Sequence, residues 1–173
     1  NGCTSVGGDV GGDINCGALT VEGDVDGDVK CGALTVNGCI DGDVECGPLT
    51  VNGDIAGDVE CGPLTVNGDI AGYVECDALT VNGNVDGDIC CNDGTVTVNG
   101  DHDGGDINAA FAAITGDIDG DVNTDYAILS GDIDGDFSGK RTIVTDAQSI
   151  PWEAILSAVI ERDVDKLRQY FAK

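Results

Sequence analysis

The sequence predicts an all-β fold: a three-sided, single-chain parallel β-helix with an α-helical cap at its C-terminal end. The first observation is a fifteen-residue repeat, since residues 46–60 and 61–75 differ at a single position, where Asp58 becomes Tyr73. The second is glycine at fixed positions of each repeat, and the third is aliphatic residues between those glycines. A unit this short cannot bury a core alone, so successive units must stack as a solenoid.

Each turn of this solenoid is numbered from its cysteine, or the equivalent residue, as position one. A partial turn from Gly139 follows nine complete turns, which begin at Asn1, Cys16, Cys31, Cys46, Cys61, Cys76, Cys91, Ala109 and Thr124. The turn from Cys91 alone departs from the period, because it is three residues longer. Glycine recurs at positions two, eight and twelve. Because glycine tolerates positive φ, we expect three corners in each turn.

Aliphatic residues lie between these corners. Leu predominates at position four, Val at position six, and Val or Ile at positions ten and fourteen. Positions four and six flank an outward threonine, as in a strand with one buried face. We therefore expect one short strand on each side and parallel ladders about 4.8 Å apart between turns. The coil should have the right-handed sense that parallel crossovers favour.

The register divides the chain into two segments. Residues 1–146 form a β-helix of nine to ten turns, and residues 147–173 form an amphipathic helical cap. Ser149 can serve as the N-cap of this helix, with Pro151 in its first turn. We expect the cap to cover the open ladder and apolar lumen of the last turn, because bare sheet edges invite pairing. Its apolar residues recur at helical spacing: Trp152, Ile155, Leu156, Val159, Ile160, Leu167, Tyr170 and Phe171.

The charge of the chain limits its partners. The formal net charge is −26, and six of the seven basic residues lie at or beyond Lys140. Nucleic acids and anionic membrane surfaces both require clustered Lys and Arg, so we predict neither as a partner. The sequence contains no run of apolar residues long enough to cross a membrane, so we predict no membrane insertion.

A column of six cysteines occupies position one: Cys16, Cys31, Cys46, Cys61, Cys76 and Cys91. Alternation with position fourteen places them inside, where free cysteine acts as a small hydrophobe. A metal or redox column is one alternative, although a fifteen-residue period lacks the paired spacing of metal sites. Serial disulfides are another, although an in-register ladder gives poor geometry for the bond. Cys39 and Cys90 lie at outward positions, and unpaired thiols there favour a reducing, cytoplasmic location over a secreted or cell-surface one.

Aspartate fills most of positions nine and thirteen and several of positions eleven. Two explanations stay open for these columns. Asx-type bonds from the carboxylates to corner amides would make them structural. Outward oxygen ligands would instead make them a calcium-binding surface. Apart from this calcium, we expect no cofactor.

The long turn, residues 91–108, contains the single histidine, His102, at an inward position otherwise given to Val or Ile. Asp101, Asp103 and Asp106 surround it, so these four residues are the candidate metal or catalytic site. A bulge that absorbs the three extra residues is the competing interpretation. No partner serine or cysteine stands at a readable spacing from His102, so we predict that the protein is not an enzyme.

The text LTVNGDIAGDVE, repeated with GDIDGDV variants through Asp136, resembles the bactofilins, which are polymer-forming bacterial cytoskeletal proteins. The resemblance covers residues 1–146 and implies a right-handed three-sided β-helix without catalytic residues. We therefore expect a structural scaffold that self-associates through its uncapped N-terminal turn, at Asn1, Val6, Val10 and Ile14. An acidic cation-binding or surface-binding solenoid is the second hypothesis, and a β-helix carbohydrate-active enzyme is the third.

Overall fold

A computed structural model describes residues 3–144, with side chains from residue 5 to residue 139. Within that range the chain is an all-β parallel solenoid of about nine turns and contains no helix. The predicted cap, residues 147–173, lies outside the described residues. The strands are β1 (Cys3–Val6), β2 (Ile14–Val21), β3 (Val29–Val36), β4 (Val44–Cys46), β5 (Leu49–Val51), β6 (Val59–Val66), β7 (Val74–Val81), β8 (Ile89–Val98), β9 (Ile107–Ile114), β10 (Ile118–Asp119), β11 (Val122–Leu129), β12 (Ile133–Asp134) and β13 (Phe137–Val144).

Equivalent residues of successive turns stand directly above one another. Cys16 pairs with Cys31 in the ladder between β2 and β3, and Cys31 pairs with Cys46 in the ladder between β3 and β4. All these ladders are parallel, and one sheet runs β1-β2-β3-β4-β6-β7-β8-β9-β11-β13, with β5 between β3 and β6. The predicted stacking of fifteen-residue turns is therefore confirmed.

The prediction of one short strand on each of the three sides differs from the observed structure. In most turns a single eight-residue strand runs from position fourteen to position six, past the position-two corner, and so covers two sides. The third side is reduced to one ladder residue at position ten, as where Ile40 pairs with Ile55. It widens to two residues only in the pair of β10 and β12. In most turns the strand therefore bends at position two without ending there.

The glycine columns serve close approach rather than positive φ. Among the described residues, positive φ occurs only at Gly104, Gly105, Gly120 and Gly131, all in or after the long turn. In the regular turns an added Cβ would strike the preceding turn. At Gly53 it would lie 2.6 Å from the carbonyl oxygen of Gly38. Neighbouring turns thus meet backbone to backbone at these corners, which leaves no room for a side chain.

Aliphatic side chains at positions four, six, ten and fourteen fill the lumen. In the fourth turn these are Leu49, Val51, Ile55 and Val59, and each is at most 2% exposed. Burying an aliphatic side chain of this size contributes about 1.5–3 kcal/mol. Because each turn adds the same set, the stability of the coil grows with the number of stacked turns.

The long turn absorbs its three extra residues at two places. The offset between paired residues rises from fifteen to seventeen before Thr95, where the register of β8 shifts. It is still seventeen where Val85 pairs with His102, and it reaches eighteen at Asp106. Two extra residues therefore lie in β8 and the third lies near Gly104 and Gly105, whose φ values are positive. The bulge that the sequence suggested is confirmed in β8.

Candidate functional site

His102 lies inside the coil, held between two main-chain carbonyls. Its side chain is 0% exposed and stands in the ladder between Val85 and Ile118. Its Nδ1 lies 3.0 Å from the carbonyl oxygen of Val85, and its Nε2 lies 3.1 Å from that of Gly105. A neutral imidazole has one N–H, so only one of these contacts can be a hydrogen bond in that state.

Burial lowers the pKa of His102. The carbonyls of Gly105 and Val85 and the carboxylates of Asp103 and Asp88 raise it, but less than burial lowers it. The ring is therefore neutral at pH 7, and its surroundings resist protonation because a charge would have to be buried.

Two of the four candidate metal ligands, Asp101 and His102, have hydrogen-bonding partners in the main chain. The Oδ1 of Asp101 accepts the amide of Asp117, and both ring nitrogens of His102 face main-chain oxygens. Asp103 and Asp106 are exposed. Within residues 3–144 no three His, Cys, Asp or Glu side chains are grouped so that they could hold a metal. A metal bound by these four residues stays a prediction.

An open groove of about 600 Å³ borders the insertion in β8. The carboxylates of Glu60, Glu75, Asp77 and Asp93 line it, together with the cysteines at positions 61, 76 and 90. His102 is not part of this lining. The single histidine of the chain therefore does not face this acidic groove.

The cysteine column forms the predicted vertical file, but only part of it is sealed. Cys76 and Cys91 are buried, whereas Cys16, Cys31, Cys46 and Cys61 are half-buried beside a shallow groove. The eight cysteines whose side chains the structure describes are all free thiols, so there are no serial disulfides among them.

Three thiols of this column, those of Cys31, Cys46 and Cys76, have raised pKa values. Burial and the neighbouring thiols of Cys46 and Cys16 raise the pKa of Cys31 to about 12. The Sγ atoms of Cys76 and Cys91 are 2.7 Å apart. This contact and burial raise the pKa of Cys76, and either thiol can be the donor. Since thiolates are the nucleophiles and metal ligands, the raised pKa values support a structural role for Cys31, Cys46 and Cys76.

The aspartate columns are ladders in which each side chain bonds the next turn. At position nine, Oδ1 of Asp54 accepts the amide of Asp69 at 2.9 Å, and Asp69 accepts the amide of Asn84 at 2.7 Å. Position thirteen repeats this arrangement, as where Asp58 accepts the amide of Tyr73. Cys39 stands in the same column, and its Sγ accepts the amide of Asp54 at 3.4 Å. These bonds support the structural explanation of the columns.

Replacing Asp54 tests this explanation. Asp54→Asn keeps an acceptor oxygen, as Asn84 does when it accepts the amide of Asp101 at 2.9 Å. We expect Asp54→Asn to leave the urea midpoint within error, whereas Asp54→Ala lowers the free energy of unfolding by about 1 kcal/mol because the amide of Asp69 loses its partner. Equal losses in the two variants would contradict the ladder and indicate that the charge matters.

Among the described residues, no turn stacks on the outer edge of the first turn. Val6 and Val10 are half-buried, and each pairs only with the following turn, at Val21 and Val25. An added Cβ at Gly8 or Gly12 would meet no atom within 4 Å. The first turn thus carries the close-approach glycines of the later turns without a neighbour that requires them.

Of the other predicted self-association residues, Ile14 is 8% exposed and lies in the core, paired with Val29. Asn1 lies outside the described residues. The contact surface available on this edge is therefore formed by β1, Val10 and the glycine corners. The sequence indicates this surface, because the first turn has glycine at the positions where a Cβ is excluded in later turns.

The stacked turns, the aliphatic lumen and the hydrogen-bonded side-chain columns define a parallel β-solenoid whose surfaces are regular ladders. Residues 1–67 match the family model of the bactofilins, described as polymer-forming cytoskeletal. The resemblance is thus confirmed for a bactofilin-like segment that covers the first four turns and part of the fifth. No curated protein and no solved structure matches the chain. No helix within residues 3–144 is long and apolar enough to span a membrane.

Proposed function

We propose that this protein is a non-enzymatic scaffold that associates with copies of itself through its N-terminal turn. The observation that carries the proposal is the outer edge of the first turn, where no described turn is stacked and an added Cβ at Gly8 or Gly12 would meet no atom within 4 Å. The bactofilin-like segment contains this turn, and its family is described as polymer-forming. An unpaired strand edge is a template for pairing with another chain, because it offers unpaired amide and carbonyl groups.

Charge opposes this association and sets its salt dependence. The chain carries a formal net charge of −26, so two copies repel at low ionic strength. Salt screens exposed charges over about 10 Å at 0.1 M and about 3 Å at 1 M. Assembly should therefore strengthen as salt is added, because the ladder hydrogen bonds and apolar contacts persist while the repulsion is screened.

The remaining parts of the proposal follow from the same scaffold. Its partner is a second copy of the chain, its location is the cytoplasm, as a cytoskeletal family favours, and it needs no cofactor. Residues 147–173 form an amphipathic helical segment. Calcium binding by the aspartate columns is the second hypothesis, and a calcium-dependent rise in Tm would favour it. It is weakened because one oxygen of many of these carboxylates already accepts an amide.

Substituting the first-turn glycines tests the proposal. Gly8→Ala combined with Gly12→Ala should leave the circular dichroism and Tm unchanged, because neither Cβ meets an atom within 4 Å. It should abolish concentration-dependent assembly in sedimentation velocity and electron microscopy. In later turns a Cβ in these columns lies too close to the preceding backbone, as the 2.6 Å contact at Gly53 shows.

Gly11→Ala is the matched control. It lies between the two test positions, its Cβ would approach only Asp26, at 3.8 Å, and Ala56 and Ala71 occupy the same position in later turns. This variant should assemble as the unmodified chain does. If the double variant assembles equally well, the first turn is not the interface. If the unmodified chain stays monomeric at all concentrations and salt levels, the scaffold itself is refuted.

A further inference from the structure

The last turns of the coil carry an apolar outer surface. Positions three and five point outward, because they alternate with the inward residues at positions four and six. In the turns from Ala109 and Thr124 these outward positions hold large or apolar side chains. We call this surface the distal face: Phe111, Ala113, Tyr126 and Ile128.

Three of the four residues of the distal face are buried, unlike the same positions elsewhere, and Tyr126 is half-buried. Ile128 is 0% exposed, Ala113 2% and Phe111 5%. In β6 and β7 the equivalent residues Thr65 and Thr80 are exposed between buried neighbours. In β9 and β11 this alternation is lost, and consecutive residues are buried on both sides of the strand.

Neighbouring strands do not account for this burial. Thr80 occupies the same outward position as Ile128 and has a ladder neighbour on each side, Thr65 and Thr97. It is nevertheless exposed, whereas Ile128, which pairs with Ala113, is buried. An outward side chain loses its last accessible area only when atoms pack over it. Within residues 3–144 every segment is either a strand of the coil or a connection between consecutive turns, so that part of the chain supplies no such layer.

We propose that the C-terminal segment, residues 147–173, packs along the distal face. The described chain ends at Val144, which pairs with Leu129 at the end of this same side. Twenty-nine residues follow Val144, and Trp152, Ile155, Leu156, Val159 and Ile160 form one apolar stripe at helical spacing. An outer sheet face with Phe111 and Ile128 at its centre offers the surface that such a stripe requires.

Charge supports the same assignment. Residues 147–173 contain four acidic and four basic residues, so their net charge is zero. The remaining 29 acidic and three basic residues place the whole formal charge of −26 on residues 1–146. A neutral segment can lie against this acidic coil without the repulsion that a second coil would meet.

This placement differs from a cap over the last turn. A segment on the side of the coil leaves the outer edge of β13 open, whereas an end cap would cover it. Within the described residues β13 pairs with β11 alone. The placement does not depend on the proposed self-association, which uses the opposite end of the coil.

Trp152 is the single tryptophan of the chain and reports directly on this contact. In the unmodified chain its emission should be blue-shifted and protected from acrylamide. Ile128→Glu should red-shift the emission and expose Trp152 to quenching while the β circular dichroism persists. The ratio of covered to uncovered chains should fall by a factor on the order of ten or more, because the burial of one isoleucine is lost and a carboxylate is placed in the contact.

Thr80→Glu is the matched control, since it adds the same charge at the same outward position three turns earlier. It should leave Trp152 protected. If Ile128→Glu loses its β signal, Ile128→Thr, which restores the residue of the earlier turns, should give a smaller exposure of Trp152. Trp152 that is equally protected in all folded variants, or already exposed in the unmodified chain, would overturn the proposal. Protection that disappears on dilution would overturn it in favour of a second copy.

Discussion

Gly53→Ala is expected to disrupt the coil, with a loss of about 3 kcal/mol or more in the free energy of unfolding. The added Cβ would lie 2.6 Å from the carbonyl oxygen of Gly38 and 2.8 Å from the amide nitrogen of Cys39. Both atoms belong to main chain that is fixed by ladders on either side, so neither can move without shifting a whole turn. Relief requires that the turns separate at this corner, which also lengthens the hydrogen bond from Gly53 N to Gly38 O.

The measurement is urea unfolding followed by far-ultraviolet circular dichroism, with Gly8→Ala as the control. Gly8 belongs to the same column but has no preceding turn in contact. The change in intrinsic backbone preference is the same in the two variants, so their difference isolates the clash. If both variants shift the midpoint equally, chain entropy rather than close approach explains the glycine column. The glycines of the first turn then give no support to association through that edge.

The register of the fold could be predicted from the sequence because every turn repeats the same text. One fixed offset then determines all ladder partners, as between Cys16, Cys31 and Cys46. The reason for the glycines was wrong, because single-residue preferences describe φ and not the distance to the neighbouring turn. The merging of two sides into one strand was also missed, since a glycine can bend a strand without ending it.

The candidate site could be predicted only where a side chain forms a hydrogen bond to the equivalent position of the next turn. The aspartate ladders follow from stacking plus Asx chemistry, so the sequence already contained that explanation. The surroundings of His102 did not, because its partners are carbonyls of Val85 and Gly105, and the sequence pattern does not place carbonyl groups in an irregular turn. The burial of Ile128 was equally hidden, since it depends on what packs over an outward position and not on the position itself.

His102→Val is expected to remove a pH-dependent loss of stability below pH 6.5. Burial holds the pKa of His102 below the value of 6.5 that it has in an unfolded chain. Between the two pKa values the unfolded chain therefore binds a proton that the folded chain does not. This contribution to stability is complete above pH 6.5 and is lost as the pH falls toward the folded-state pKa, at up to about 1.4 kcal/mol for each pH unit.

The informative quantity is the difference in unfolding free energy between the unmodified chain and His102→Val, measured by urea unfolding at a series of pH values. Protonation of the carboxylates relieves repulsion in both chains and cancels to first order in this difference. Valine is the residue that the same ladder carries at Val85, so it fits the column. The difference should be constant above neutral pH and should change in favour of the variant as the pH falls below 6.5.

Ile118→Val is the control, because it alters the ladder neighbour of His102 without removing a titratable group. Its difference from the unmodified chain should not depend on pH. If His102→Val gives an equally flat difference, the two carbonyls stabilise the imidazolium as strongly as burial destabilises it. The free energy of unfolding of His102→Val could instead fall relative to that of the unmodified chain as the pH falls. In that case the two carbonyls stabilise the imidazolium more than burial destabilises it, and His102 is a buried cation held by Val85 and Gly105.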